Sequence, residues 1–163
     1  MDEFKRNILA ILQEDCRTPV SRISIMTGKE EAEVVLAIQE MEQDHIILKY
    51  TPIIDWAKTQ VHQVEGIIEV KVTPQRDMGF DALAERLKGF EEVKSVYLMS
   101  GSYDLFLLVQ APTLQKLGLF VSEKLSTLDT VTGTSTSFVL KRYKQDGVVF
   151  DKVNQDNRMM VQP

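Results

Sequence analysis

A single cysteine, Cys16, excludes an intramolecular disulfide, and the two histidines, His45 and His62, do not join it at metal-site spacing. No metal or cofactor is implied. No stretch approaches the roughly 20 consecutive apolar residues of a membrane span. Met1-Asp2-Glu3-Phe4 also lacks the basic-then-apolar order of a secretory signal, so a cytoplasmic chain with no membrane partner is expected. There is no glycine-rich phosphate loop and no nucleophile with an implied base, which argues against an enzyme. Positive charge is scarce: 19 Lys and Arg stand against 24 Asp and Glu, a net charge of −5. That balance argues against gross nonspecific attraction to polyanions, because nucleic-acid affinity rests largely on Lys and Arg neutralising phosphates.

What is present is a globular composition, 44% hydrophobic and 26% charged. Phe4, Ile8, Ile11 and Leu12 recur at helical spacing, with Asp2, Glu3, Lys5, Arg6 and Gln13 on the other face. Thr18-Pro19 predicts an N-cap and first helical residue, opening a second helix from Pro19 to Met26 that Gly28 closes. Val34, Ile38 and Met41 mark a third, with Glu30 and Glu31 favourably placed in its first turn. Two short helices about a glycine-containing turn, behind a packing helix, form a helix-turn-helix. Ile46 to Tyr50 is extended in pattern, so a winged-type domain is expected over residues 1–50, followed by a connecting strand and polar linker over 51–64.

From Glu65 the signals are a strand (Ile68, Val70, Val72), a helix (Phe80, Leu83, Ala84, Leu87) and a strand (Val96, Leu98). After a Ser100-Gly101-Ser102 turn come an apolar strand from Leu105 to Val109, a helix (Leu114, Leu117, Val121, Leu125) and a long strand from about Thr134 to Tyr143. The order βαββαβ predicts an α+β, ferredoxin-like domain over residues 65–150, with two helices on one face of an antiparallel sheet. The third strand is apolar on both faces, whereas a sheet covered on one side should alternate. The same sheet from a second subunit is the simplest cover, giving a homodimer. Val148-Val149-Phe150 and the tail of 151–163, with Arg158-Met159-Met160-Val161, are candidates for an extra edge or a swapped segment.

The order and spacing of several segments carry a family likeness. They are Ile8-Leu9, Leu12-Gln13-Glu14-Asp15-Cys16-Arg17, Gly28, Met41-Glu42, Ile54-Asp55, and Val96-Tyr97-Leu98-Met99-Ser100-Gly101-Ser102-Tyr103-Asp104. The chain resembles the leucine-responsive and asparagine regulator family of transcription factors over nearly its whole length. The resemblance implies a protein that binds double-stranded DNA, dimerises and assembles further, and holds an amino acid or related metabolite between dimers. It places effector contacts at Ser100, Gly101, Tyr103 and Asp104, and at Thr134 and Thr136 of the last strand. An aspartate suits an α-ammonium group, and a glycine lets backbone donors approach a carboxylate. Turn chemistry at Gly101 and Asp104, and ordinary strand threonines, account for the same residues without a ligand.

The chain departs from the family in its third helix. Recognition helices commonly offer Arg or Lys to bases and phosphates, yet between Lys29 and Gln43 only Lys29 is basic, against Glu30, Glu31, Glu33, Glu40 and Glu42. The candidate DNA-contacting residues are Arg17, Arg22 and Lys29, with Glu33 and Ala37 on the helix itself; Lys5, Arg6 and Lys49 are weaker candidates for phosphate. A second reading has the helix-turn-helix contact protein instead of DNA through Ile25, Met26 and Leu36.

Overall fold

The computed structural model describes residues 1–73 and 80–150; the expected role of the 151–163 tail lies outside the described residues. The chain divides into two compact units between Ile53 and Ile54. The first holds α1 (Glu3–Glu14), α2 (Val20–Thr27) and α3 (Glu31–Gln43). Their apolar stripes meet in a core of Ile8, Ile23, Val34, Ala37 and Met41, with Phe4, Leu12, Ile38 and Ile47 packed around it. Asp2 caps α1 by accepting the Lys5 N–H at 2.8 Å. At α2 the expected cap is displaced by one residue. Pro19 itself is the N-cap, and the Thr18 hydroxyl donates backwards to the Asp15 carbonyl at 2.8 Å. Gly28, at φ +67°, ends that helix in the left-handed region that glycine tolerates.

The chain leaves α3 through a Schellman turn in which the His45 N–H donates to Glu42 O at 3.1 Å and the Ile46 N–H to Met41 O at 2.8 Å. His45 occupies the left-handed position, φ +56°, usually held by glycine. Left-handed backbone costs a side-chain-bearing residue about 1–2 kcal/mol, of which glycine's greater unfolded-state freedom returns about 0.5–1. His45→Gly is therefore expected to stabilise the first unit by about 0.5 kcal/mol, a rise of roughly 2–4 °C in its thermal midpoint; circular dichroism melts check this.

The expected extended segment at 46–50 does not form a strand, so the winged feature is absent from the described residues. Both the Ile46 and Ile47 N–H groups are spent on the Met41 carbonyl, and Ile47 packs on the helical core. No strand in the first unit lies alongside to complete a ladder.

The second unit is α+β and ferredoxin-like. It comprises β1 (Val64–Val72), α4 (Phe80–Lys88), β2 (Val93–Leu98), β3 (Leu105–Ala111), α5 (Leu114–Leu119) continuing as a π-helical stretch (Phe120–Leu125), and β4 (Val131–Phe138). The sheet runs β2-β3-β1-β4 with every pair antiparallel. Leu105, Leu107, Val109 and Ala111 of β3 point into a core completed by Ile68, Val70, Leu83, Leu87, Leu117 and Phe120. Gly66 admits Leu117 closely, since a Cβ there would lie 3.1 Å from Leu117 Cδ1. Phe106 and Leu108 alternate onto the opposite face and are half-buried.

The last strand is shorter than expected: it starts at Val131 and ends at Phe138, not near Tyr143. The following residues turn into a small hairpin of β5 (Lys144–Gln145) and β6 (Val148–Val149). Asp146 (φ +46°) and Gly147 (φ +85°) form its two-residue turn, whose twist suits a tight hairpin.

Candidate functional site

On the helical unit, Arg17 and Arg22 are exposed. Lys29 is exposed too, but its ammonium pairs with Glu33 Oε1 at 3.1 Å and lies 5.8 Å from the Phe4 ring centroid. Glu33 has a structural task. Its carboxylate accepts the Glu30 N–H at 3.1 Å while the Glu30 carboxylate accepts from the Glu33 backbone, a capping box that opens α3. That backbone donor, then Lys29, holds the Glu33 carboxyl below its usual range. Glu40 is paired with Lys5 at 2.8 Å, and Glu42 accepts the Tyr50 hydroxyl at 2.9 Å. Much of the negative charge on α3 is therefore tied down by neighbours within the unit.

Ala37 is a correction. Expected at a DNA-contacting surface, it is 5% exposed and packed with Val34 and Met41 in the core. The outward stripe of α3 is instead Ala32, Val35, Leu36 and Gln39, all exposed, with Leu36 at 59%. Helical spacing of the buried residues was the signal that could have found it.

In the second unit, Ser100, Gly101 and Tyr103 line a cavity of about 120 Å³ together with Glu69, Met99 and Phe106. A Cβ at Gly101 would meet nothing within 4 Å. Glu69, which sequence reasoning missed, arrives because β1 pairs it with Phe106. Asp104 works on the backbone: its Oδ2 accepts the Val72 N–H at 2.8 Å, where the β1–β4 register shifts, and its own N–H donates to Val70 O at 3.0 Å. Thr134 and Thr136 pair with Val70 and Ile68 on the edge strand β4. Register puts them on the helix-bearing face, and neither lines the cavity at the hairpin. One chain thus groups Ser100, Gly101 and Tyr103 around the cavity, and leaves Asp104, whose carboxylate accepts from the backbone, and the two threonines outside its lining.

A larger cavity of about 340 Å³, also unforeseen, is lined by residues including Trp56, Lys58, Glu65, Leu140, Arg142 and Phe150. Glu65 is held there by an ion pair with Arg142 and a hydrogen bond from Gln110, while Arg142 stacks 5.2 Å from the Phe150 ring centroid.

The helical geometry and the βαββαβ sheet coincide with two described domains. Residues 1–42 match the AsnC-type helix-turn-helix domain, and residues 65–149 match the Lrp/AsnC ligand binding domain. The chain belongs to the Lrp/AsnC family. It is 44% identical over its whole length to YugG of Bacillus subtilis (strain 168), an uncharacterised HTH-type transcriptional regulator, of which 99% is covered. Among solved structures it is similar to an AsnC family transcriptional regulator from Agrobacterium tumefaciens, with 26% identity, TM-score 0.71, and 89% and 94% of the two chains covered. A Neisseria meningitidis transcriptional regulator solved as its L-Met complex shares the fold, with 21% identity, TM-score 0.72, and 89% and 93% covered. As an Lrp/AsnC member the chain is a transcriptional regulator carrying a helix-turn-helix and a ligand-binding domain. Among the described residues no helix is long and apolar enough to cross a membrane.

Proposed function

We propose that this protein is a cytoplasmic, non-enzymatic regulator that binds double-stranded DNA through α2 and α3. Its assembly and DNA binding respond to an amino acid or related metabolite held between dimers. The observation that carries this reading is the union in one chain of the AsnC-type helix-turn-helix and the Lrp/AsnC ligand binding domain. The L-Met bound by the Neisseria relative supports an amino acid as the effector class. The domains in this reading are residues 1–50 for DNA, 51–64 as connection, and 65–150 for ligand and assembly. Ser100, Gly101, Tyr103 and Asp104 of one subunit are completed by Thr134 and Thr136 of another. The open sheet face carrying Phe106 and Leu108 is the dimer contact.

Phosphate contacts are few. Arg17 and Arg22 are exposed and Lys29 is engaged with Glu33. A dimer using the two arginines neutralises about four phosphates, so log K against log salt should fall with a slope of about −4. Arg22→Ala should bring it to about −2. Polarisation titrations on the duplex upstream of its own gene, at several salt concentrations and with an amino-acid panel, test the reading. Binding that is absent under every condition overturns it. That outcome favours the protein-contact reading, for which Ile25 at 82% and Met26 at 57% exposure on α2 speak.

A further inference from the structure

The outward stripe of α3 has a chemistry of its own. In a helix of 3.6 residues per turn, Ala32, Val35, Leu36 and Gln39 fall on one line at i, i+3, i+4 and i+7. Diametrically opposite are Val34, Ala37 and Met41, the residues that fasten the helix to the core. The four outward side chains are therefore the ones α3 offers to anything seated against it. None is charged. The carboxylates on either flank are largely occupied, Glu33 by its capping box and Lys29, Glu40 by Lys5, and Glu42 by the Tyr50 hydroxyl.

In helix-turn-helix complexes the second helix enters the major groove with the residues of its N-terminal half against base edges. Here that half presents Ala32, Val35 and Leu36, with Gln39 one turn further on. Base pairs differ there in ways these groups distinguish. Thymine projects a C5-methyl that favours apolar contact; adenine offers N7 as acceptor and N6–H as donor, which a glutamine amide engages bidentately. Guanine, with O6 and N7 both acceptors, is matched by Arg or Lys, and the stripe holds neither.

We propose that α3 reads adenine–thymine pairs in the major groove, Gln39 binding adenine N6 and N7 while Leu36 and Val35 pack on thymine methyls. This rests on the DNA-binding reading above and adds its sequence preference. The apolar exposure of Leu36 (59%) and Val35 (38%) then has an occupant, because their surface is buried against the methyl groups on docking. With few phosphate contacts, a larger share of the affinity falls to these base contacts than in a basic recognition helix.

The test uses the full chain. Duplexes are selected from a random library, and the best is resynthesised with deoxyuridine for thymidine, which removes only the methyl, or with 7-deazaadenine, which removes only N7. The selected half-sites should be rich in A·T pairs, and each change at the contacted position should weaken binding about tenfold. Leu36→Ala should become indifferent to deoxyuridine, and Gln39→Ala to 7-deazaadenine, both keeping the wild-type salt slope and helical circular dichroism. Salt-sensitive binding with G·C-rich selected sites, or with no loss on either base change, overturns the readout and leaves the DNA-binding reading standing. No duplex bound at any salt concentration, with or without amino acids, overturns both.

Discussion

Leu108→Glu is expected to reduce the assembled protein to monomers. Leu108 lies at the middle of β3, paired with Ile67 on one side and Ser95 on the other, on the face away from α4 and α5. Around it are Ile67, half-exposed Phe106 and the Tyr97 ring, 6.0 Å from that of Phe106 between centroids. A leucine side chain moved from water into a contact contributes about 1.5–3 kcal/mol. A two-fold interface repeats the same patch on both partners, so every substitution counts twice. Glutamate would forfeit that contribution at both copies and bring unpaired carboxylates into the contact, on a face that already carries Glu65 and Glu69. The combined loss, several kcal/mol, corresponds to a dissociation constant raised by roughly a thousandfold or more.

The monomer should remain folded, because the core is built by the alternate residues Leu105, Leu107 and Val109 on the other side of the strand. Light scattering on the variant should give the single-chain mass, with an unchanged far-ultraviolet spectrum. Leu108→Lys provides a check on mechanism: its charge is opposite in sign to that of Glu69 on the same face, so it should dissociate the assembly less than glutamate does. An assembly untouched by Leu108→Glu would place the dimer contact on another surface.

Much of this arrangement was legible in the sequence, where periodicity and burial express the same physics. The stripes of α1 and α3, and the order of strands and helices after Glu65, follow from apolar residues that must face a core. The extended pattern at 46–50 misled because a strand needs a partner, and partners are not encoded in a local pattern. Here the Met41 carbonyl collected the two N–H groups instead. The last strand was carried too far, through Tyr143, and the turn residues Asp146-Gly147 that make the β5–β6 hairpin were passed over. Ala37 was misplaced although its position, three after Val34 and four before Met41, already put it on the buried stripe. The acidity of α3 counted against phosphate contact when read from composition alone, since pairing partners such as Lys5 and Tyr50 are brought to Glu40 and Glu42 only by packing. Glu69 at the hairpin cavity could be found only once the β1–β3 register was known.

Asp104→Asn is expected to abolish the response to amino acids while leaving the fold intact. Asp104→Ala is expected to damage both. The difference follows from the carboxylate's place in the sheet. Oδ2 accepts the Val72 N–H at 2.8 Å, tying the start of β3 to the end of β1 in a partly buried setting. Removing the acceptor leaves a backbone donor unsatisfied, at a cost of about 1–3 kcal/mol. Alanine therefore confounds two roles, since a loosened hairpin would also disturb Ser100, Gly101 and Tyr103 around the adjoining cavity. Asparagine keeps an oxygen to accept from Val72 and removes the negative charge. If that charge pairs with the α-ammonium of an effector, the charge-assisted bond is lost, and with it about 1.5–3 kcal/mol of affinity, or roughly 10- to 150-fold. Thermal melts and light scattering with an amino-acid panel should then show a variant with the wild-type midpoint when ligand-free and no shift at concentrations that shift the wild type. A full wild-type response from Asp104→Asn would mean that Asp104 serves the backbone alone and that the ammonium is met by another acid. Glu69, which lines the same cavity, would be the residue to substitute next.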